Sequence, residues 1–243
     1  MGWVIVTGGT RGIGRGISLH LLKKGYEVLA FYRENAEAAE SFSQSVVNPE
    51  FYNARSKLIV QQCNVACERN VNDFFATHLQ DKNVIALVNN AGVYTRDKSS
   101  HAMEKMFRTN FFGACYMTRA FAEFRRTRKQ NGMGAVVNIG STAGLHGPTG
   151  SAAYAASKAA LHRMMAELAR EYAEEGIIHI NTIVCGPVDT GALHDSGKWH
   201  RENTPTKMLT TPGEVARAVE WLIEERNSNI VGAEIQIDGG KIL

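Results

Sequence analysis

An α/β fold built on a doubly wound parallel sheet is what this sequence predicts, and three observations predict it. Short β-branched runs alternate with helical stretches along all 243 residues. The stretches between runs are long enough for right-handed helical crossovers, which join parallel strands. A glycine-rich turn, TGGTRGIG, follows the first run directly and opens the first helical stretch, where a sheet of this kind holds anionic ligands. About seven strands with helices on both faces are expected, in one domain over residues 1–243.

The runs are WVIV at 3–6, EVLAFY at 27–32, KLIVQQC at 57–63, VIALV at 84–88, AVVNI at 135–139, IHINTIV at 178–184 and EIQI at 234–237. That rhythm of short β-branched runs predicts a parallel sheet. Gly25 and Gly176 each follow a helical stretch and precede a strand, which suits the left-handed residue that closes a helix. Thr211, Pro212 and Glu214 form a capping signature: a threonine cap, proline at the first helical position and a glutamate able to reach back. Residues 189–211, rich in Thr, Gly, His and Asp, are the least regular part and leave the carboxyl end of a strand. Ligands bind there in open α/β sheets, so this segment is expected as a substrate loop. His194, Trp199 and His200 within it are either substrate-facing or ordinary loop residues.

Composition narrows the classes of function. The chain is 44% hydrophobic and 21% charged, with a net charge of +3. A sequence pI of about 8.7 falls short of the basicity that by itself points to nucleic acid. The densest basic run, RRTRK at 125–129, ends a predicted helix and reads as a solvated helix terminus. Cys63, Cys67, Cys115 and Cys185 show no paired CxxC spacing, so packing thiols and no metal site are expected. No apolar run is long enough to span a membrane. The first residues, MGWVIVTGG, run straight into a strand and a glycine turn, so the expected address is the cytoplasm.

Gly8, Gly12 and Gly14 let the chain turn tightly and let backbone amides approach a pyrophosphate at the positive end of a helix. The end of the second strand chooses the dinucleotide. A carboxylate there holds the ribose of NAD, whereas a cation meets the 2'-phosphate of NADP. The strand ends AFYRE: Tyr32 stands where an acid is expected, Arg33 follows, and Arg11 in the glycine turn is a second cation. A guanidinium grips phosphate with two parallel hydrogen bonds, so NADP(H) is expected ahead of NAD(H). The bland reading of Arg33 is a surface residue paired with Glu34 or Glu37.

The stretch YAASK puts Tyr154 and Lys158 four apart, on one helical face. An ammonium beside a phenol is expected to pull its pKa below the ordinary value of about 10, making an acid-base pair. Alanines at 152, 153, 155 and 156 keep the surface around them low.

TGGTRGIG, NNAG at 89–92, Asn110, Ser141, YAASK and IDGG at 237–240, in that order, resemble the short-chain dehydrogenase/reductase family in its single-domain, Rossmann-type form. The resemblance covers essentially the whole chain. It implies that Tyr154 exchanges a proton with the carbonyl oxygen and that Lys158 lowers the phenol's pKa and holds the nicotinamide ribose. It implies that Ser141 hydrogen-bonds the substrate oxygen and that Asn110, inside a long helix beginning near Ser100, anchors a water linking Lys158 to solvent. Asn90, Ala91 and Gly92 then support the adenosine side, and Thr190 binds the carboxamide. Thr10, Ile13, Asn64, Val65 and Val188 complete the implied cofactor contacts.

Two departures stand out. Where the family has Pro-Gly after the sixth strand this chain reads VCGPVDT, with Cys185 in the proline position and Pro187 after the glycine. Where an aspartate is usual after the third strand stands Asn64. Overall the chain is most similar to 3-oxoacyl-(acyl-carrier-protein) reductases, which use NADPH to reduce a β-keto thioester. An acidic acyl carrier protein is then an expected partner, with RRTRK as a docking patch, although Glu174 and Glu175 stand where a basic residue would have helped. Sugar, polyol, steroid and xenobiotic carbonyls are the other substrate classes, and a non-catalytic NADP-binding sensor the other class of function. The family is usually tetrameric. Leu161, Met164, Met165 and Leu168 suit either an interface between copies or the core.

Overall fold

The computed structural model describes residues 2–46, 56–79, 81–130, 132–146, 150–191, 196–224 and 229–242. All seven expected strands form: β1 (Trp3–Val6), β2 (Glu27–Tyr32), β3 (Leu58–Gln62), β4 (Val84–Asn89), β5 (Gly134–Ser141), β6 (Ile178–Cys185) and β7 (Glu234–Ile237). They make one parallel sheet in the order β3-β2-β1-β4-β5-β6-β7. The chain builds outward from β1 to β3, returns to lay β4 on the other side of β1, and builds outward again. That reversal between β1 and β4 opens a crevice above the carboxyl ends of the strands.

The described helices are α1 (Gly12–Lys23), α2 (Ala36–Ser45), α3 (Glu68–Thr77), α4 (Ser100–Phe107), α5 (Gly113–Arg128), α6 (Ala152–Glu174), α7 (Ser196–Glu202) and α8 (Pro212–Glu224). Ile17, Leu21, Phe42, Val215 and Val219 of α1, α2 and α8 pack on one face of the sheet. Val71, Phe74, Phe121, Leu161 and Met165 of α3, α5 and α6 pack on the other. Leu161, Met165 and Leu168 are therefore core side chains, and Met164 packs against the same cluster. The capping signature before α8 forms in full: Glu214 Oε2 accepts from the Thr211 N–H at 2.7 Å, and Thr211 Oγ1 accepts from the Glu214 N–H at 3.2 Å. Gly25 and Gly176 take the left-handed conformation at φ 92° and 69°.

Two local expectations change. The long helix expected from near Ser100 is interrupted by a π-helical turn over Arg108–Phe112, between α4 and α5. The basic run at 125–129 is only partly a solvated terminus. Arg125 is 3% exposed, and its guanidinium donates to the carbonyls of Val84 and Gly132 and to Gln130. The carbonyls of Val84, where β4 begins, and of Gly132, just before β5, need donors, and Arg125 reaches them. Arg126 is paired with both Glu123 and Glu175.

α1 and α8 are joined by a half-buried charge cluster, with Glu220 receiving His20 Nε2 at 2.5 Å and Lys24 Nζ at 2.9 Å. Burial pushes the Glu220 carboxyl up, but the hydrogen bonds from Lys24 and His20 outweigh it and hold the group below its ordinary value. A depressed carboxyl contributes stability that is complete above the unfolded value of about 4.3. It is lost as pH falls through the folded value. Glu220→Gln is expected to cost about 1–3 kcal/mol near neutral pH, with the gap to the parent closing below about pH 4. Thermal unfolding from pH 7 to pH 3 measures it.

Candidate active site

The loops after β1, β4, β5 and β6 meet at the reversal in strand order, and side chains that need each other hold them there. Thr7, at the end of β1, accepts the N–H groups of Asn90 and Ala91 through Oγ1, both at 2.9 Å. Asn90 Nδ2 donates back to the carbonyls of Thr7 and Gly8 at 2.8 and 3.2 Å. The NNAG turn is thus locked onto the glycine turn. Gly8 and Gly12 have φ of +63° and +53°, a region that L side chains rarely occupy. A Cβ on Gly14 would lie 2.2 Å from the Gly8 carbonyl oxygen. Thr10 is buried, Ile13 half-buried and Arg11 exposed where α1 begins. The loop after β6 reaches the same turn, since a Cβ on Gly12 would lie 3.8 Å from Thr190 Cγ2. Val188, 7% exposed, pairs with Thr210 and seats that loop.

Beyond β2 and β3 lies a crevice of about 420 Å³ lined by Arg33, Gln61, Gln62, Cys63, Asn64 and Phe74 among others. Arg33 pairs with Glu34 at 2.6 Å, a carboxylate that is itself 75% exposed, so the pair is weak and separable. Asn64 Oδ1 accepts from the Ala66 N–H at 3.1 Å, and Val65 packs against Gly113. A dinucleotide fits this line of features. The glycine turn opens α1, Thr190 stands beside Gly12, and the crevice beside Arg33 lies beyond β2.

At the far side of the crevice, Ser151 caps α6, accepting from the Tyr154 N–H through Oγ at 3.4 Å. Gly144 lets the short 3-10 turn Thr142–Gly144 press against α6, because a Cβ there would sit 2.8 Å from the Lys158 carbonyl carbon. The Ser141 hydroxyl stands on the Tyr154 side of the site, where it favours the phenolate. Ser141 Oγ also accepts from the Ala143 N–H at 3.2 Å. Lys158 is 5% exposed; its Nζ donates to the Ile139 carbonyl at 2.8 Å and lies 6.0 Å from the Tyr154 ring centre.

The electrostatics differ from the expected depressed phenol. Burial raises Tyr154 above its ordinary value, and only the neighbouring Ser141 hydroxyl works against that. Burial also pushes the Lys158 ammonium down to about 8. Desolvation outweighs an ammonium that is 6 Å from the ring and bonded to a carbonyl. Cys185, beside Ser141 in register, is pushed up to about 12 by burial and stays a thiol.

Asn110, placed by the π-helical turn, is 1% exposed. Its Oδ1 accepts from the Val93 N–H at 2.8 Å, while Nδ2 donates to the Val93 carbonyl at 2.9 Å and to Ser157 Oγ at 3.1 Å. It ties the loop after β4 to α6. Gly92 keeps that approach open, since a Cβ there would be 3.4 Å from Asn110 Oδ1 and 4.0 Å from Lys158 Nζ. The departure at Cys185 and Pro187 leaves the loop anchored, because the Gly186 N–H donates to the Ile237 carbonyl at 3.0 Å.

The family model for short chain dehydrogenases matches residues 2–201. The chain belongs to the short-chain dehydrogenase/reductase family. It is 31% identical to the uncharacterized oxidoreductase YgfF of Escherichia coli K12, over 99% of this chain and 100% of that protein. An acetoacetyl-CoA reductase of Rhizobium meliloti is 34% identical, covering 98% of this chain and 97% of its own. A 3-oxoacyl-(acyl-carrier-protein) reductase of Homo sapiens is 31% identical, at 97% and 95%. The crystal structure of a short chain dehydrogenase from Bacillus anthracis shares the fold with a TM-score of 0.87 at 23% identity, over 100% and 97% of the two chains. This short-chain dehydrogenase/reductase is therefore an oxidoreductase acting at a carbonyl or alcohol, in a family that uses nicotinamide dinucleotides.

Sequence reading overlooked three residues of the site. Thr7 is the hinge between two loops. Tyr94 lies edge-on to Tyr154, with ring centres 5.2 Å apart, and is 50% exposed; nothing in its spacing signals that. His162 lies on the face of α6 that bears Tyr154 and Lys158, four residues past Lys158, and its Nε2 accepts from the Ser141 N–H at 3.2 Å. The spacing did carry that signal. Of the loop candidates, Trp199 and His200 in α7 are held by Lys241, whose Nζ lies 5.4 Å from the Trp199 ring and 3.1 Å from His200 Nδ1. His194 lies outside the described residues.

Proposed function

We propose that this enzyme uses NADPH to reduce a 3-oxoacyl thioester to the 3-hydroxyacyl thioester, with Ser141, Tyr154, Lys158 and Asn110 as its working set. The observation that carries the reading is the placement of the Ser141 hydroxyl beside the Tyr154 phenol at the end of β5, on the same sheet edge as the glycine turn. Two neighbouring hydroxyls converge on one oxygen, and a raised phenol keeps its proton at neutral pH. Tyr154 donates that proton, Ser141 orients the carbonyl, and Lys158 faces the nicotinamide ribose. Asn110 holds Val93 and Ser157 around Lys158 and links the lysine to solvent through a water. When bound, the reduced nicotinamide supplies the hydride.

The substrate class is supported by relatives named as acetoacetyl-CoA and 3-oxoacyl-(acyl-carrier-protein) reductases. Burial of Arg125 and the double pairing of Arg126 leave Arg128 and Lys129 as the cations of that cluster without an ion pair among the described residues. A carrier protein is accordingly a weaker fit than the thioester itself. Residues 1–243 act as one unit with 189–211 as its substrate loop, in a cytoplasmic homotetramer. Nicotinamide oxidation with acetoacetyl-CoA, acetoacetyl-carrier protein and a panel of sugar, steroid and simple ketones tests the substrate. Preference for a ketone outside the thioester class refutes it.

Arg33 and Arg11 support NADPH over NADH. Arg33→Ala is expected to weaken NADPH binding by on the order of tenfold, the value of a charge-assisted hydrogen bond, and NADH binding little. Titration of both nucleotides against the variant measures this, and equal losses remove the 2'-phosphate role.

A further inference from the structure

The face of α6 that carries Tyr154 and Lys158 continues to His162, which no step above uses. His162 is 4% exposed, on a helix packed against the end of β5. The ladder from β5 to β4 stops at Asn138 and Asn89, three residues before Ser141. The Ser141 N–H takes the imidazole Nε2 as its acceptor at 3.2 Å. A neutral imidazole has one donor and one acceptor nitrogen, so the proton sits on Nδ1, facing Glu234 Oε1 of β7 at 3.5 Å. Space for the ring comes from Gly140, where a Cβ would lie 2.4 Å from Nε2. Burial, and to a smaller degree Lys158, pushes the imidazole down to about 4, so the accepting form persists at neutral pH.

We infer that His162 is a positioning residue: by accepting the Ser141 N–H it fixes the end of β5 and aims the Ser141 hydroxyl at the Tyr154 phenol. The inference rests on the reading that these two hydroxyls handle the carbonyl oxygen. Ser141 stays paired with Cys185 of β6, but on the β4 side its ladder has ended, and there His162 guards the strand end against an ångström-scale shift. Misplacement on that scale costs up to about a hundredfold in rate.

The test has two parts. Two-bond proton–nitrogen NMR spectra of the nucleotide-free protein report the tautomer without turnover. They are expected to show His162 neutral and protonated on Nδ1 at pH 7, whereas a proton on Nε2, or a charged ring, overturns the inference. In kinetics, His162→Leu keeps bulk without an acceptor and is expected to lower kcat by about ten- to a hundredfold with KM for NADPH unchanged. His162→Gln, which carries an acceptor oxygen of similar reach, is expected to restore most of that rate. A Leu variant with full kcat, or a Gln variant no better than Leu, refutes the role. A parent protein that turns over no carbonyl sinks the reading of the site, and the tautomer then decides the His162–Ser141 contact by itself.

Discussion

Tyr154→Phe is expected to lower carbonyl reduction by about 10²- to 10⁴-fold, the range a positioned general acid supplies. The change removes one oxygen from a half-buried ring that keeps its edge-on contact with Tyr94. Folding and nucleotide binding are expected to stay close to the parent. The loss therefore falls on kcat, and nucleotide titration alongside turnover separates it from a binding defect. Because burial raises the phenol, the acid form is populated across neutral pH. Reduction is expected to be flat there and to fall at alkaline pH as the proton is lost. Oxidation of the alcohol, which needs the phenolate, is expected to rise over the same range. Turnover within tenfold of the parent would show that another group donates the proton.

Gly14→Ala is expected to have the second largest effect, by breaking the nucleotide end. A methyl there meets the Gly8 carbonyl oxygen at 2.2 Å and Asn90 Nδ2 at 2.5 Å, far inside contact distance. Asn90 is the group that ties the NNAG turn to the carbonyls of Thr7 and Gly8, so pushing it away separates the loops of β1 and β4. A stability loss of about 1–3 kcal/mol is expected from overpacking. NADPH affinity is expected to drop on the order of a hundredfold as the amides lose their aim. Thermal unfolding and nucleotide titration read the two effects separately. Unchanged affinity would mean that the glycine turn is only a tight strand-to-helix connection.

Much of the architecture was legible because the information is local. Short β-branched runs between helical stretches became strands in all seven cases, the inner ones buried and the edge strands β3 and β7 part-exposed. The Thr211–Glu214 cap and the left-handed Gly25 and Gly176 are likewise decided within a few residues. The π-helical turn at Arg108–Phe112 was not legible, since a shifted hydrogen-bond ladder has no composition of its own. Arg125 misled for a related reason. In sequence it matches Arg128 and Lys129, and only the folded chain shows the carbonyls of Val84 and Gly132 waiting for donors.

What the sequence by itself determined is the order of strand and helix units, the glycine turn, and the residue types at the sheet edge. The tertiary structure alone decided how those groups are tuned. The phenol rises rather than falls, Arg33 rests on Glu34, and a histidine holds the end of β5. Periodicity follows from neighbours along the chain, whereas desolvation and hydrogen-bond partners depend on groups brought together from distant positions, and no spacing rule encodes those distances.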